Sequence, residues 1–328
     1  MASKGDIVRE RILERLQKSG DEYTSGEELS RLFAISRAAV SKHVSVLRGQ
    51  GHVIEAVTRK GYRLLRKAES LSADVVRDGL ATSVFGQCAF YYYPSVGSTN
   101  IEAMQLAFAD APEGTVVVAD EQTGGRGRQG RTWHSPAGYG LYVSVILRPD
   151  IAPNAAPIIT LLTNVAAAEA VHDVTGAPTV CKWPNDVLIN GCKIAGNLTE
   201  VVLSGDAVGH VIAGAGINVR PLPPSVVAGL RTKPCSLEEA AGKRVSRVVL
   251  LQAYLARYEY WYNTLIEEGF APVLARWKEL TDVVGKRLKV QVRGKALDGE
   301  VVDVSTDGML ILKDDDGKEH QLFSGDIL

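Results

Sequence analysis

Apolar positions in the first sixty-seven residues recur at helical spacing and then give way to short apolar runs. Val8, Ile12 and Leu16 share one helical face, and the segment from Asp6 to Ser19 stops at Gly20. Ser25-Gly26-Glu27-Glu28 has the form of a capping box, with Ser25 accepting from the third amide and Glu28 reaching back, and predicts a short helix to Phe33. After a tight turn at Ala34-Ile35, Ser36 caps a third helix with Val40, Val44 and Leu47 inward and Arg37, Ser41, Lys42, Ser45 and Arg48 outward. Val53–Val57 and Tyr62–Leu65 then flank Thr58-Arg59-Lys60-Gly61, a β-hairpin with a basic tip. Two helices joined by so short a turn make a helix-turn-helix.

From residue 85 onward strand and helix patterns alternate. Strands are expected at Phe90–Tyr93, Thr115–Ala119 and Leu141–Leu147, with a helix over Ile101–Ala109. Ala156–Val174 is almost wholly apolar, ends at Gly176-Ala177-Pro178, and predicts a helix buried under a sheet. Val187–Ile189, Gly196–Leu203 and Val208–Ala215 supply three more strands, with hairpin signals at Asn190-Gly191 and Ser204-Gly205-Asp206. Val208–Ala215 is expected at a sheet edge. Beyond residue 285, Leu288–Val292, Leu297–Val304, Met309–Leu312 and His320–Leu322 alternate between turns at Gly294, Asp307-Gly308 and Asp316-Gly317. The class is α+β, with a mixed sheet backed by helices.

Charge divides the chain further. Residues 1–67 carry fourteen Lys and Arg against eight Asp and Glu, net +6, which leaves −7 on the rest of a chain whose total is −1. A basic module is therefore fused to a mildly acidic body. No apolar run reaches the roughly 18 residues that span a bilayer, and the start lacks the apolar core of a signal peptide, so a cytoplasmic protein without a membrane partner is expected. Cys88, Cys181, Cys192 and Cys235 are scattered without a CxxC pair, which suggests neither a disulfide framework nor a zinc site. They read as small hydrophobes, and no metal ligands are assigned.

Candidate chemistry gathers at the strand ends. Gly125-Arg126-Gly127-Arg128-Gln129-Gly130-Arg131 packs three guanidinium groups among glycines, a mobile arm suited to closing on phosphate or carboxylate, or else a solvated basic loop. Ser98-Thr99-Asn100 precedes a helix, where it caps the helix or grips a polar ligand. Lys182-Trp183-Pro184-Asn185-Asp186 begins a strand, Lys193 follows the Asn190-Gly191 turn, and Gly214-Ala215-Gly216-Ile217-Asn218 closes a strand with room for close backbone approach.

The helix-turn-helix with its basic hairpin looks like the winged-helix DNA-binding family. That resemblance implies Arg37, Ser41, Lys42 and Arg48 facing operator DNA, flanked by Arg59 and Lys60. A small helical interaction module with a solvated basic face is the alternative. The arm, the Lys182–Asp186 string, Lys193-Ile194-Ala195-Gly196 and Gly214–Asn218, in this order and spacing, closely resemble the biotin protein ligases. With the winged helix in front, essentially the whole chain resembles the bifunctional biotin ligase and biotin operon repressor family. The resemblance implies a winged helix over 1–67, a linker over 68–80, a mixed-sheet ligase domain of the biotin/lipoate type over 81–276, and an SH3-like β-barrel over 277–328.

It also implies an activity. Biotin and ATP, with Mg²⁺, would form biotinyl-5'-AMP, and a lysine of a biotin carboxyl carrier protein, part of a biotin-dependent carboxylase, would take the biotin. Two like charges 4 Å apart repel by about 4 kcal/mol at an effective dielectric of 20, so cations must stand between carboxylate and phosphate. Lys193, Arg126 and Arg128 are the candidates for this role, by resemblance Lys193 touching both carboxylate and α-phosphate, and Asp186 either orients or deprotonates the incoming amine or is a structural acceptor. Ser98, Thr99, Asn100, Gln122, Arg126, Gly127, Arg128 and Lys193 would hold biotin. Arg126, Arg131, Lys182, Asn185 and Asn218 would hold the nucleotide. Arg220–Pro234 aligns with a loop that orders on the adenylate in that family, yet it has no aromatic residue, so either affinity for the base is lower here or an aliphatic such as Leu222 or Leu230 covers the adenine. The resemblance further implies a homodimer on adenylate binding. Two readings from other classes stand beside it: a regulator that senses a small molecule without catalysis, and a lipoate ligase.

Overall fold

The computed structural model describes residues 4–228, 235–292 and 295–327. Gly294 and Leu230 lie outside them. The chain divides into two compact units, Met1–Ser70 with Pro136–Gly138, and Leu71–Ser135 with Tyr139–Leu328.

In the first unit, α1 (Lys4–Lys18), α2 (Gly26–Phe33) and α3 (Arg37–Gly49) precede the antiparallel hairpin β1 (Val53–Val57) and β2 (Gly61–Arg66). Ile12, Leu16, Leu29, Val40, Val44, Leu47 and Ile54 form its core. Ser25 and Ser36 cap α2 and α3, accepting from the amides of Glu28 and Ala39 at 3.0 and 3.1 Å. Only half of the expected box forms, because the Glu28 carboxylate turns to Arg15, 2.6 Å away. A full charge on the partner makes that the stronger bond. Gly61 is required in the hairpin: its φ is +116°, and a Cβ there would come within 2.2 Å of the Thr24 carbonyl oxygen.

The second unit is built on a seven-stranded mixed sheet. Its strands are β3 (Phe90–Tyr93), β4 (Val116–Ala119), β5 (Gly140–Leu147), β6 (Val180–Lys182), β7 (Asp186–Ile189), β8 (Cys192–Ser204) and β9 (Ala207–Asn218). Their spatial order is β3-β4-β5-β9-β8-β7-β6, parallel only between β3 and β4. After the short helix α4 (Ala73–Arg77), α5 (Thr99–Phe108) lies on one face, with Ala103 and Ala107 against Val117, Ile146 and Ile212. The long apolar helix α6 (Ala156–Thr175) backs the other face and ends at Gly176 in the left-handed conformation. Short α7 (Pro224–Val227) and α8 (Leu237–Ala241) follow β9, and then α9 (Arg247–Glu268) and α10 (Phe270–Leu280) pack on α6. The C-terminal strands β10 (Arg287–Val292), β11 (Lys295–Val304), β12 (Leu310–Lys313), β13 (Glu319–Leu322) and β14 (Asp326–Ile327) form a five-stranded antiparallel sheet ordered β13-β12-β11-β10-β14.

Three expectations are corrected. β9 is interior, hydrogen-bonded to β5 on one side and β8 on the other, so it offers no edge. Alternation alone does not reveal strand order. Lys182 ends β6 and Asp186 begins β7, so Trp183-Pro184-Asn185 forms the turn between two strands rather than the start of one. Cys192 and Cys235 are joined as a disulfide despite 43 residues of separation, while Cys88 is exposed and Cys181 buried as free thiols. Pairing at that separation leaves no spacing signal.

Candidate active site

Sheet alternation sorts the chemistry by face. Leu198, Ser144, Gly196, Gly214 and Gly216 share the α5 face, and Asn197, Thr199 and Val201 point to the α6 face. On the α5 side Gln122 accepts from the Thr99 amide at 2.8 Å and from its hydroxyl at 3.1 Å, and donates to Ser135 at 2.9 Å. Ser144 donates to Thr99 and to Asn100 Oδ1, at 2.8 and 2.6 Å. Asn100 in turn donates to the Leu198 carbonyl and the Glu200 carboxylate, at 3.1 and 2.8 Å. The Asn100 amide is thereby committed to the framework. Ser98, at the N-cap of α5, makes no side-chain cap bond, so the expected capping does not use its hydroxyl.

The glycines of β8 and β9 make a bed for the protein's own side chains. Gly196 and Gly216 face each other in register, and a Cβ on either would meet the Trp133 indole, at 3.0 and 2.4 Å. On Gly214 a Cβ would reach Asn100 Oδ1 at 2.0 Å. The close approach expected at these glycines is thus made by Trp133 and Asn100, and the cavity among Ser98, Thr99, Gln122, Arg126 and Trp133 holds only about 30 Å³. That is roughly the volume of one water molecule, far below a ligand pocket.

Lys193 sits over this bed. Its Nζ lies 2.7 Å from Asp186 Oδ1 and 5.4 Å from the centre of the Trp133 ring. The pair is half exposed, so surrounding water weakens it and a competing anion can displace it. The arm folds back on itself: Gly127 donates to the Arg131 carbonyl at 2.7 Å, and Arg128–Gly130 make one 3₁₀ turn with Gln129 at φ +56°. Arg126 lies 3.5 Å from Glu200, Arg131 pairs with Asp326 of β14, and Arg128 donates to Asn185 Oδ1 at 3.2 Å and to the Gly325 carbonyl at 3.4 Å. Burial pushes the Arg128 pKa down, opposed by Asp326 and Asp186.

Ser98, Thr99, Asn100, Gln122 and Arg126 converge on the small cavity. Lys193 and Asp186 adjoin it through Trp133, whereas Arg128 and Asn185 meet at the β6–β7 turn. Lys182 and Asn218 lie at strand ends outside the residues lining that cavity. Trp133, Ser144 and Glu200 were not singled out from sequence; an aromatic directly after the arm, and a hydroxyl and an acid within apolar strands, were the available signals. Among the described residues no group of three or more His, Cys, Asp and Glu is placed to hold a metal ion. Nor does any described helix have the length and apolarity to cross a membrane.

In the first unit Arg37, Ser41, Lys42, Arg59 and Lys60 are exposed. Arg48 is exposed as well, but its Nε donates to the Ile54 carbonyl at 2.8 Å, and Lys60 stacks 5.7 Å from the Tyr23 ring.

A glycine-bedded mixed sheet with a cationic arm and an adjoining Lys–Asp pair defines a ligase of the biotin/lipoate type. Residues 92–218 match the Biotin/lipoate A/B protein ligase family, 8–63 match an HTH domain, and 283–328 match the Biotin protein ligase C terminal domain. The chain is 39% identical over 320 residues to the bifunctional ligase/repressor BirA of Bacillus subtilis, covering 98% of each, and 31% identical over 300 residues to that of Escherichia coli, covering 90% of this chain and 89% of the relative. The solved biotin protein ligase of Aquifex aeolicus in complex with biotin and ATP superposes with a TM-score of 0.61 at 29% identity, over 74% of this chain and 98% of that one. This chain belongs to the bifunctional biotin ligase/repressor family.

Proposed function

We propose that the cations around Trp133 join biotin to ATP and that the product is transferred to a lysine of a biotin carboxyl carrier protein. The observation that carries this reading is the placement of Lys193, Asp186, Trp133 and Arg126 at one glycine-floored site. Trp133 and the arm withdraw to admit the biotin ring, whose ureido edge meets Ser98, Thr99 and Gln122. Asn100 acts by holding that floor. A carboxylate oxygen of biotin then attacks the α-phosphorus, and the bond to the β-phosphate oxygen breaks to release pyrophosphate.

Lys193 leaves Asp186 for the converging anions, and Arg126 leaves Glu200. Pairing before the ligand arrives fixes both cations in place. Arg126, Arg131, Lys182, Asn185 and Asn218 form the nucleotide side, Arg128 stands between the biotin carboxylate and the phosphates, and Gly127 lets the arm wrap the carboxylate. Mg²⁺ comes with ATP, consistent with its usual binding through one or two carboxylates and substrate phosphates. Asp186, once free of Lys193, orients the acceptor amine, which attacks the mixed anhydride and expels AMP.

The N-terminal unit, with Arg37, Ser41, Lys42, Arg48, Arg59 and Lys60 toward operator DNA, gives the repressor function when two adenylate-loaded copies pair. The domain limits 1–67, 68–80, 81–276 and 277–328, and a cytoplasmic location, belong to the same proposal. Incubation with carrier protein, biotin, ATP and Mg²⁺ tests it: intact-mass spectrometry should show one biotin on one carrier lysine, dependent on ATP. An unmodified carrier under all conditions rejects it.

A further inference from the structure

Two buried asparagines stand where the surroundings are apolar. Asn164 projects from α6, a helix otherwise rich in Ala, Val, Leu and Ile, and is 0% exposed; Asn197, on the α6 face of β8, is 1% exposed. A buried amide costs stability unless it is hydrogen-bonded, so such a pair calls for an account of what it holds.

It holds the β6–β7 turn. Asn164 Nδ2 donates to the Pro184 carbonyl at 2.9 Å, and Asn197 Nδ2 donates to Asn164 Oδ1 at 2.5 Å. The backbone of Asn197 grips the next residue on both sides: its amide donates to the Asn185 carbonyl at 2.9 Å, and its carbonyl accepts from Asn185 Nδ2 at 2.7 Å. With its nitrogen committed, Asn185 can only present Oδ1 outward, and that atom accepts from Arg128 at 3.2 Å. Every bond in the series has a fixed polarity, from the core of α6 to the guanidinium.

We infer that Asn164 and Asn197 are positioning residues for the nucleotide half of the reaction, aiming Arg128 through Asn185. The inference rests on the proposed role of Arg128 at the phosphates. Neither asparagine lines the cavity formed by Ser98, Thr99 and Gln122. Loss of the relay therefore weakens the use of ATP more than the binding of biotin, whose ring is held by Ser98, Thr99 and Gln122. A purely structural amide pair would weaken both together.

Two substitutions separate these cases. Asn164→Asp removes the donor to Pro184 at nearly constant volume, and Asn197→Leu removes Nδ2 while keeping the backbone groups that hold Asn185. Biotin-dependent exchange of pyrophosphate into ATP gives kcat/KM for ATP, and calorimetry with biotin alone gives its Kd. Each variant should lose about tenfold in kcat/KM for ATP, as for one hydrogen bond to a charged group, with the biotin Kd within about twofold of the parent. In an Arg128→Ala background the same changes should add nothing. Equal losses for biotin and ATP, losses that multiply with Arg128→Ala, or failure of both variants to fold would each overturn the relay. Absence of exchange in the unaltered protein would instead remove the reading on which the relay rests, and the relay with it.

Discussion

The cations proposed to face DNA and those of the ligase site are held in opposite ways. In the N-terminal unit Arg37 and Arg59 stand exposed without an acidic partner among the described residues. In the ligase unit Lys193 faces Asp186, Arg126 faces Glu200, and Arg131 faces Asp326. Unpaired surface charge suits a long polyanion, whose affinity comes from many weak contacts and released counterions. A cation parked on an acid is already oriented and changes partner only for an anion that competes at short range. The first arrangement favours reach, and the second favours selectivity for a small doubly anionic pair.

Substitutions should widen that contrast in graded steps. The largest effect is expected for Lys193→Ala, which should lower adenylate formation by about 10²- to 10³-fold, as for loss of one preorganised charge-stabilising donor. Rapid-quench assays of the first turnover check it. A change of only a few-fold would place the essential cation elsewhere.

Next comes Gly216→Ala, whose Cβ would lie 2.4 Å from Trp133 Nε1. Forcing the indole off its bed should cost about 1–3 kcal/mol in chemical denaturation, the usual range for overpacking. An unperturbed midpoint would mean that Trp133 does not rest on that strand.

For the N-terminal unit, Arg37→Glu should weaken DNA binding by about tenfold and flatten its dependence on salt, with adenylation intact. Filter binding across a salt series reads both quantities. Loss of ligation along with DNA binding would show that the two charge systems are not separate.

The smallest effect concerns pH. Burial, aided by Arg148, lowers the pKa of His210, which is 5% exposed and packs edge-on against Phe108. Because the folded form resists protonation, the unfolded chain binds more protons just below its own pKa of about 6.5. The stability contribution is full above that value and is lost as pH falls toward the lower folded pKa. Melting temperature should therefore decline between about pH 7 and 5, and less steeply in His210→Gln. Equal slopes would exclude His210 as a source.

Much of this layout was legible in the chain. Helical spacing in Val40, Val44 and Leu47, and the apolar run closing at Gly176, fixed α3 and α6 to within a residue or two. Local rules suffice where a segment's own periodicity faces one core. Strand order did not follow, because the run of apolar and small residues in β9 does not name its neighbours, and only the pairing with β5 and β8 places it inside. α9 went unremarked although Leu250, Tyr254, Tyr258, Trp261 and Leu265 recur at helical spacing on it.

At the site, the arm and Lys193 were visible as unusual charge in a glycine-rich setting. Trp133 was not, because its place just past the arm does not say that it lies on glycines 63 and 83 residues away. The Asn164–Asn197 pair was hidden for the same reason: a polar residue in an apolar helix gains meaning only from its partner on another element.

The most direct measurement is mass spectrometry of the small-molecule products after the purified protein is mixed with ATP and Mg²⁺ and with either biotin or lipoate. Biotinyl-5'-AMP and pyrophosphate should accumulate with biotin, no adenylate should form with lipoate, and both products should form about 10²- to 10³-fold more slowly in Lys193→Ala. Tight binding of biotin and ATP without any adenylate, or an adenylate formed equally well when Lys193 is replaced, would contradict the claim that the paired cations of this site bring two anions into reaction.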